Sequence, residues 1–363
     1  MSSTQFLKNR TNWQQMKKNS VRLPAEWESQ SGILITWPHI NSDWASILDE
    51  IEPVYIALSV AITRFQKLLI IAYDETHLNH INSLLNNAKV DTSKTIITIE
   101  KTNDTWTRDY GPITLRNNNK NIIANFTFNG WGKKFDAQLD NTLTAKLVEK
   151  KCLTSDSVNH FNFVLEGGSI ESDGCGTLLT TSACLLTDTR NPEYDKDNIE
   201  SFLKTALRID KILWLDHGYL AGDDTDSHID MIARFTDENT IVYIKCDDRD
   251  DEHFEALAAM ESQLKTFSNI DGEPYRLISL PLPKATYDSE DNRRLPASYA
   301  NFLIINGAVL VPVYGVEEDQ SAVDILQGCF PNREIIGIDF SAAIKQSGSL
   351  HCLTMQLPEG LLC

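Results

Sequence analysis

The sequence predicts an α/β fold in which helix-then-strand units repeat around a common centre. Three observations carry this reading. Five stretches with apolar residues at helical spacing each lead into a strand-like stretch, and further strands stand between these units. No G-x-G-x-x-G turn opens a helix near the start, as an ordinary doubly wound sheet would show.

In order along the chain, residues 42–65 place Ile47, Leu48, Ile51, Tyr55, Leu58 and Ile62 at helical spacing, with a bend expected at Pro53, and lead into a strand at 67–73. Residues 136–150 (Leu139, Leu143, Leu147) lead into 161–165, and 197–207 (Ile199, Phe202, Leu203) into 211–215. Residues 250–267 (Phe254, Leu257, Leu264) lead into 275–280, and 318–326 into 334–338. The additional strands are expected at 95–100, 122–128, 177–186, 240–245 and 302–313. The polar tract 117–121 suits a hairpin turn. The units recur in pattern and not in sequence, and no linker divides them. A single domain over 1–363 is the expectation, with 1–20 as a peripheral N-terminal segment.

With 363 residues and 42% hydrophobic content the chain can bury a large core. A formal charge of −18 argues against nucleic acid or an anionic membrane as partner and suits capture of a small cation. The N-terminus lacks the apolar stretch of a signal peptide, and the longest apolar runs, such as 302–313, are too short and interrupted to span a bilayer. Seven cysteines without C-x-x-C spacing fit a reducing compartment, so a cytoplasmic location is expected.

The segment Gly222-Asp-Asp-Thr-Asp-Ser-His228-Ile-Asp230 crowds four aspartates and one histidine into a short run. Charges packed this closely repel, so a cationic ligand gives a reason to gather them that folding alone does not. If the run enters a strand at His228, then His228 and Asp230 project from one face. A calcium loop is the competing reading of Asp224-Thr-Asp226-Ser-His228, but the required glycine and the distal glutamate are absent, so no metal and no cofactor is expected.

Three more segments bear chemistry. Trp106-Thr-Arg-Asp109-Tyr-Gly-Pro112 sets an aromatic, a cation and a carboxylate before a turn. Glu166-Gly-Gly-Ser-Ile170 puts a carboxylate beside two glycines, and Gln346-Ser-Gly-Ser-Leu-His351-Cys352-Leu-Thr places a cysteine after a small-residue loop. Two carboxylates can grip a planar guanidinium, a thiolate can attack its central carbon, and a histidine can protonate departing ammonia. Asp109, Glu166, His228, Asp230 and Cys352 meet these needs if repeated units bring them to one axis. His351 is set aside as the base, because neighbours in an extended segment point oppositely.

Together with Pro24-Ala-Glu-Trp-Glu28 and Ile35-Thr-Trp-Pro38, these ordered motifs make the chain resemble the agmatine deiminases over nearly its whole length. That family lies in the guanidine-modifying superfamily and is related to bacterial-type peptidylarginine deiminases. The resemblance implies a five-bladed pseudo-symmetric α/β propeller, the pentein fold. It implies hydrolysis of agmatine to N-carbamoylputrescine and ammonia through an amidino-cysteine, a step of polyamine metabolism. Cys352 would be the nucleophile, His228 the general acid and base, and Glu166 its partner. Asp109 and Asp230 would hold the guanidinium and Trp106 would line the pocket, while Asp224 or Asp226 is assigned the distal amine. The chain departs from the family in carrying Gln346-Ser-Gly-Ser-Leu350 where members often have a run of glycines. The implied partner is a small cationic substrate, agmatine, with no nucleic acid and no membrane; the oligomeric state stays open, a homo-oligomer included. An arginine or peptidyl-arginine deiminase is the alternative within this chemistry. A catalytically silent guanidine- or polyamine-binding protein is the alternative outside it.

Overall fold

The computed structural model describes residues 20–118 and 120–362. Most of the segment expected to be peripheral, residues 1–19, lies outside them. Sixteen strands form five small sheets. Four are three-stranded: β4 (Ile113–Asn117), β5 (Lys120–Thr127) and β6 (Ser157–Val164); β7 (Ile170–Ser172), β8 (Thr177–Thr181) and β9 (Lys211–Leu215); β10 (Ala233–Asp237), β11 (Thr240–Lys245) and β12 (Arg276–Pro281); β13 (Leu303–Ile305), β14 (Ala308–Val313) and β15 (Glu334–Asp339). The fifth joins both ends of the chain, in the order β16 (Thr354–Pro358), β1 (Gln30–Thr36), β2 (Lys67–Ala72) and β3 (Thr95–Ile99).

Each sheet repeats one plan. An antiparallel pair is followed by a parallel partner reached through a helix, as a parallel step requires. The crossover helices are Leu48–Thr63, Leu143–Glu149, Lys196–Leu207, Phe254–Leu264 and Asp319–Cys329. Their apolar spacing explains their placement: Ile199, Leu203, Ala206 and Leu207 form the buried stripe of one, and Asp195 caps it by accepting from the Asn198 amide at 2.8 Å. The helix 48–63 continues through Pro53.

Neighbouring units touch in sequence, and the last touches the first where the helix Leu48–Thr63 meets β15. At that seam Arg64 forms an ion pair with Glu334 at 2.7 Å. The ring is thus closed by the C-terminal strand β16, which pairs with β1 and follows Cys352 by two residues. This is the five-bladed α/β propeller that the resemblance implies, and its blades are the units of the repeated pattern. All five helix-then-strand units are present. The stretch 302–313 is a hairpin, β13 and β14, and 177–186 ends in a helical turn, Ser182–Leu185. Among the described residues no helix is long and apolar enough to cross a membrane.

Candidate active site

The first strands of the five sheets, β16, β4, β7, β10 and β13, are preceded at a spacing of only a few residues by Cys352, Asp109, Gly168, Asp230 and Asn301. One short segment from each blade therefore reaches the same place. The thiol of Cys352 is 5% exposed and accepts from Asn301 Nδ2 at 3.3 Å; Asp230 Oδ2 lies 4.0 Å from the sulfur. His228 Nδ1 stands 3.6 Å from Asp109 Oδ1. A Cβ on Gly168 would lie 2.6 Å from His228 Nδ1, 2.8 Å from Asp109 Oδ1 and 3.2 Å from Asp230 Oδ2. An imidazole and two carboxylates thus converge over one bare glycine backbone.

Asp109 is fixed by donors on both oxygens, Gly168 N and Trp131 Nε1, each at 2.9 Å. The Trp131 backbone is left-handed (φ 53°), between Gly130 and Gly132 at φ 70° and 84°. That tight turn aims the indole inward. Both ring nitrogens of His228 and the Oδ1 of Asp230 are buried without hydrogen-bond partners. Orphaned polar atoms of this kind are expensive in a protein interior, and here they surround the space before the thiol.

Burial lowers His228 to about 3 against the opposing Asp230 charge, so the imidazole is neutral at neutral pH and free to take a proton. Burial, then the Asp230 and Asp109 charges, raise the Cys352 thiol well above its ordinary value. Burial and the Asp230 charge likewise hold Asp109 far above the usual carboxylate range. The upward shifts of Cys352 and Asp109 are relieved by a cation placed among the carboxylates, which also keeps His228 neutral.

Glu166 is fully buried and accepts from Arg190 Nε with both oxygens, at 2.9 and 3.0 Å. Glu166, Cys184 and His228 present donor atoms within 4.8 Å of one another. Glu166 therefore lies near the imidazole without a hydrogen bond to it. A metal ion among these three would have to share Glu166 with the Arg190 guanidinium, which does not favour that use of the cluster. Arg190→Met should destabilise the fold by about 3–5 kcal/mol, the cost of leaving a buried carboxylate without its partner, measured by urea unfolding.

A narrow cleft leads to the thiol. Trp106, Trp131 and Phe135 give it aromatic walls, Asp43, Asp104, Asp109, Asp223 and Asp224 give it carboxylates, and among the described residues no lysine or arginine lines it. Asp224 lies on the cleft wall. Asp226 does not. It is absent from the cleft wall, and its oxygens accept from Lys134 Nζ at 2.8 Å and Arg190 Nη1 at 2.7 Å. An acidic residue next to two cations pairs with them in preference to waiting for a ligand.

Two local expectations are corrected. His228 and Asp230 do not share a strand face, because Ile229–Met231 is a 3-10 turn and β10 begins at Ala233. The turn is what lets both side chains point inward. The segment 350–353 is likewise a turn, and His351 is not packed away from the site: Nδ1 meets Asp230 Oδ2 at 2.7 Å. In the loop before it Ser347 adopts a left-handed φ of 65°, where the family's glycines would be unstrained, and Gly348 packs against Trp106.

Comparison with known proteins places this geometry. The family profile described as Porphyromonas-type peptidyl-arginine deiminase matches residues 22–358. The chain belongs to that family. Among its relatives in the peptidyl-arginine deiminase family, the agmatine deiminase of Medicago truncatula is 33% identical over 370 residues, covering 94% of this chain and 97% of its own. A C. jejuni agmatine deiminase structure with substrate bound is 38% identical with a TM-score of 0.87, covering 94% of this chain and 97% of that one. A Porphyromonas gingivalis structure whose arginine deiminase assignment is provisional is 44% identical with a TM-score of 0.89, covering 95% and 100%.

Proposed function

We propose that the protein hydrolyses agmatine to N-carbamoylputrescine and ammonia. The observation that carries this reading is the cleft wall, with five carboxylates, three aromatic rings and, among the described residues, no lysine or arginine leading to a buried thiol. Agmatine is cationic at both ends and apolar between. Free arginine carries an α-carboxylate that this wall would repel and leave without a partner. The agmatine deiminase relatives, similar along nearly the whole chain, support the same choice.

In this reading Asp109 and Asp230 accept from the guanidinium, and Trp106 stacks along the methylene chain. Asp224, raised to about 7 by burial and by Asp223, faces the distal ammonium, which draws it into the charged form. The arriving cation also lowers the thiol pKa, so that the Cys352 proton passes to His228 as the sulfur attacks the guanidinium carbon. The C–N bond then breaks, and the ammonia leaves with that proton. Water gives a proton to His228 and adds to the amidino carbon; the C–S bond breaks, the departing sulfur takes the proton back from His228, and the new hydroxyl gives its proton to the released ammonia as the carbamoyl product forms. Glu166, held by Arg190, supplies the negative charge that steadies the imidazolium formed in each step. A reducing, cytoplasmic setting suits a mechanism that needs a free thiol.

The test is ammonia and carbamoyl release from agmatine, arginine and a peptidyl-arginine offered in parallel. Turnover of agmatine at least about a hundredfold above arginine, in kcat/KM, is expected from the missing carboxylate partner. Preference for arginine or the peptide would overturn the substrate. No turnover of any, with agmatine bound, would favour a silent binder.

A further inference from the structure

Behind the pocket lies a chain of buried charges that the reaction above does not use. His351 is 1% exposed, and each ring nitrogen meets a carboxylate, Nδ1 with Asp230 Oδ2 at 2.7 Å and Nε2 with Glu26 Oε2 at 2.6 Å. Glu26 in turn lies 3.1 Å from Arg234 and 3.5 Å from Arg108, and its Oε1 accepts from the Ile304 amide at 2.7 Å. Arg234 is anchored by Glu171 at 2.8 Å. An ionised carboxylate only accepts, so a ring between two of them satisfies both when each nitrogen carries a proton; burial, Arg108 and Arg234 oppose that charge, and the two short contacts to Glu26 and Asp230 favour it. The Oδ1 of Asp230, by contrast, is buried and unpartnered. One oxygen of Asp230 is therefore locked from behind, and the other is left for the substrate.

We infer that His351 and Glu26 are positioning residues that hold Asp230 in place and ionised for the guanidinium, as a buried carboxylate–imidazole–carboxylate relay. This rests on the reading of the site as a guanidine-hydrolysing one, and it assigns work to the histidine beside the nucleophile. His351 reaches the substrate only through Asp230. Glu26, from the segment just before β1, is linked through His351 to Asp230, just before β10, so the relay also ties two non-neighbouring blades across the axis. Asp109, His228 and Cys352 face Asp230 from the pocket, and Arg108, Arg234 and Glu26 stand at the rear. Burial alone would raise Asp230; the hydrogen bond and charge of His351 hold it below the usual range. Loss of the imidazole therefore raises it, and the acid limb of kcat/KM moves to higher pH.

His351→Gln and Glu26→Gln test the relay, with the wild-type protein beside them. For His351→Gln, KM for agmatine should rise about tenfold to a hundredfold, the worth of a charge-assisted hydrogen bond, with a smaller change in kcat. Glu26→Gln keeps an acceptor for Nε2 and removes only the charge, so it should shift the acid limb the same way with a smaller rise in KM. A second readout does not depend on the substrate assignment. Millimolar guanidinium should protect Cys352 of the wild type from iodoacetamide, and His351→Gln should lose that protection while its unprotected alkylation stays at least as fast as the wild type's. Unchanged KM, pH limb and protection in folded variants would overturn the inference. So would a fall in kcat, with KM, limb and protection intact, which is the mark of a general structural role. If wild type turns over no agmatine yet guanidinium still protects the thiol, the substrate reading fails while the protection assay still decides the relay.

Discussion

Cys352→Ala should fold as the wild type does and release no measurable ammonia from agmatine. The side chain is small and buried, and its sulfur contacts are few and weak: Asn301 Nδ2 at 3.3 Å, Met231 Sδ at 3.8 Å and Asp230 Oδ2 at 4.0 Å. Removing it costs little packing, and it relieves the opposition between a thiolate and two carboxylates. The chemistry has no substitute. His351, the adjacent residue, has both nitrogens committed to carboxylates, and Cys184 accompanies Glu166 and His228 at a different point of the site. A loss on the order of a millionfold in kcat is the scale for a covalent nucleophile that acts as one unit with its base. Agmatine should still bind, since Asp109, Asp230 and Asp224 are untouched; calorimetric titration of the variant would show it. Retained turnover would remove the covalent step from the mechanism.

Much of this site could be read from the chain because its residues come in compact motifs. Asp109, Glu166, His228, Asp230 and Cys352 each stand in a segment with little structural reason for its composition, and the structure brings all five to the ring axis. Asn301 was not legible. It sits in Ser298-Tyr-Ala-Asn301, which looks like an ordinary approach to a strand, and it contacts the thiol only because the fifth blade repeats the plan of the other four. The regularity itself was the available signal: each blade offers one segment before its antiparallel strand, and four of the five had been found. Glu26, Arg108 and Arg234 were hidden for another reason. A buried charge looks like a surface charge in sequence, and only the fold shows which carboxylate meets which guanidinium.

The elements show the same division. The crossover helices expected at 197–207, 250–267 and 318–326 were readable to within four residues, those expected at 42–65 and 136–150 start six and seven residues later, and β9 and β11 match their expected limits. The helix Glu75–Asn87 was missed, although Leu78, Ile81, Leu84 and Leu85 stand at helical spacing in it. The strands β1, β4, β7, β10 and β16 also escaped, at three to seven residues each. Runs this short carry too few turns of any period to separate strand from loop. Asp226 marks the limit of composition as a guide. It belongs to the acidic run that draws attention to the site, yet Lys134 and Arg190 neutralise it, and the neighbouring Asp224 is the one on the cleft wall.

The convergence of groups over Gly168 makes one methyl group decisive. Gly168→Ala would place its Cβ 2.6 Å from His228 Nδ1 and 2.8 Å from Asp109 Oδ1, closer than such contacts occur, so one of them must move. Asp109 cannot give way easily, because Trp131 Nε1 and the Gly168 amide itself hold its two oxygens. His228 has no hydrogen bond to hold its ring, so the imidazole is the group that shifts, and it shifts away from the leaving ammonia. A displacement of this kind costs about a hundredfold in rate for each ångström or so of lost alignment. The expected result is a fall of at least about a hundredfold in kcat/KM. The thermal midpoint should move by only a few degrees, the scale for about 1 kcal/mol of strain in a chain of this size. Steady-state kinetics beside a thermal melt would decide it. Normal activity would mean that the backbone relaxes and that the space above Gly168 is not where the guanidinium lies. A collapse of stability equal to the loss of rate would mean that the glycine serves the turn, and that the convergence of His228 with the two aspartates is not itself the binding geometry.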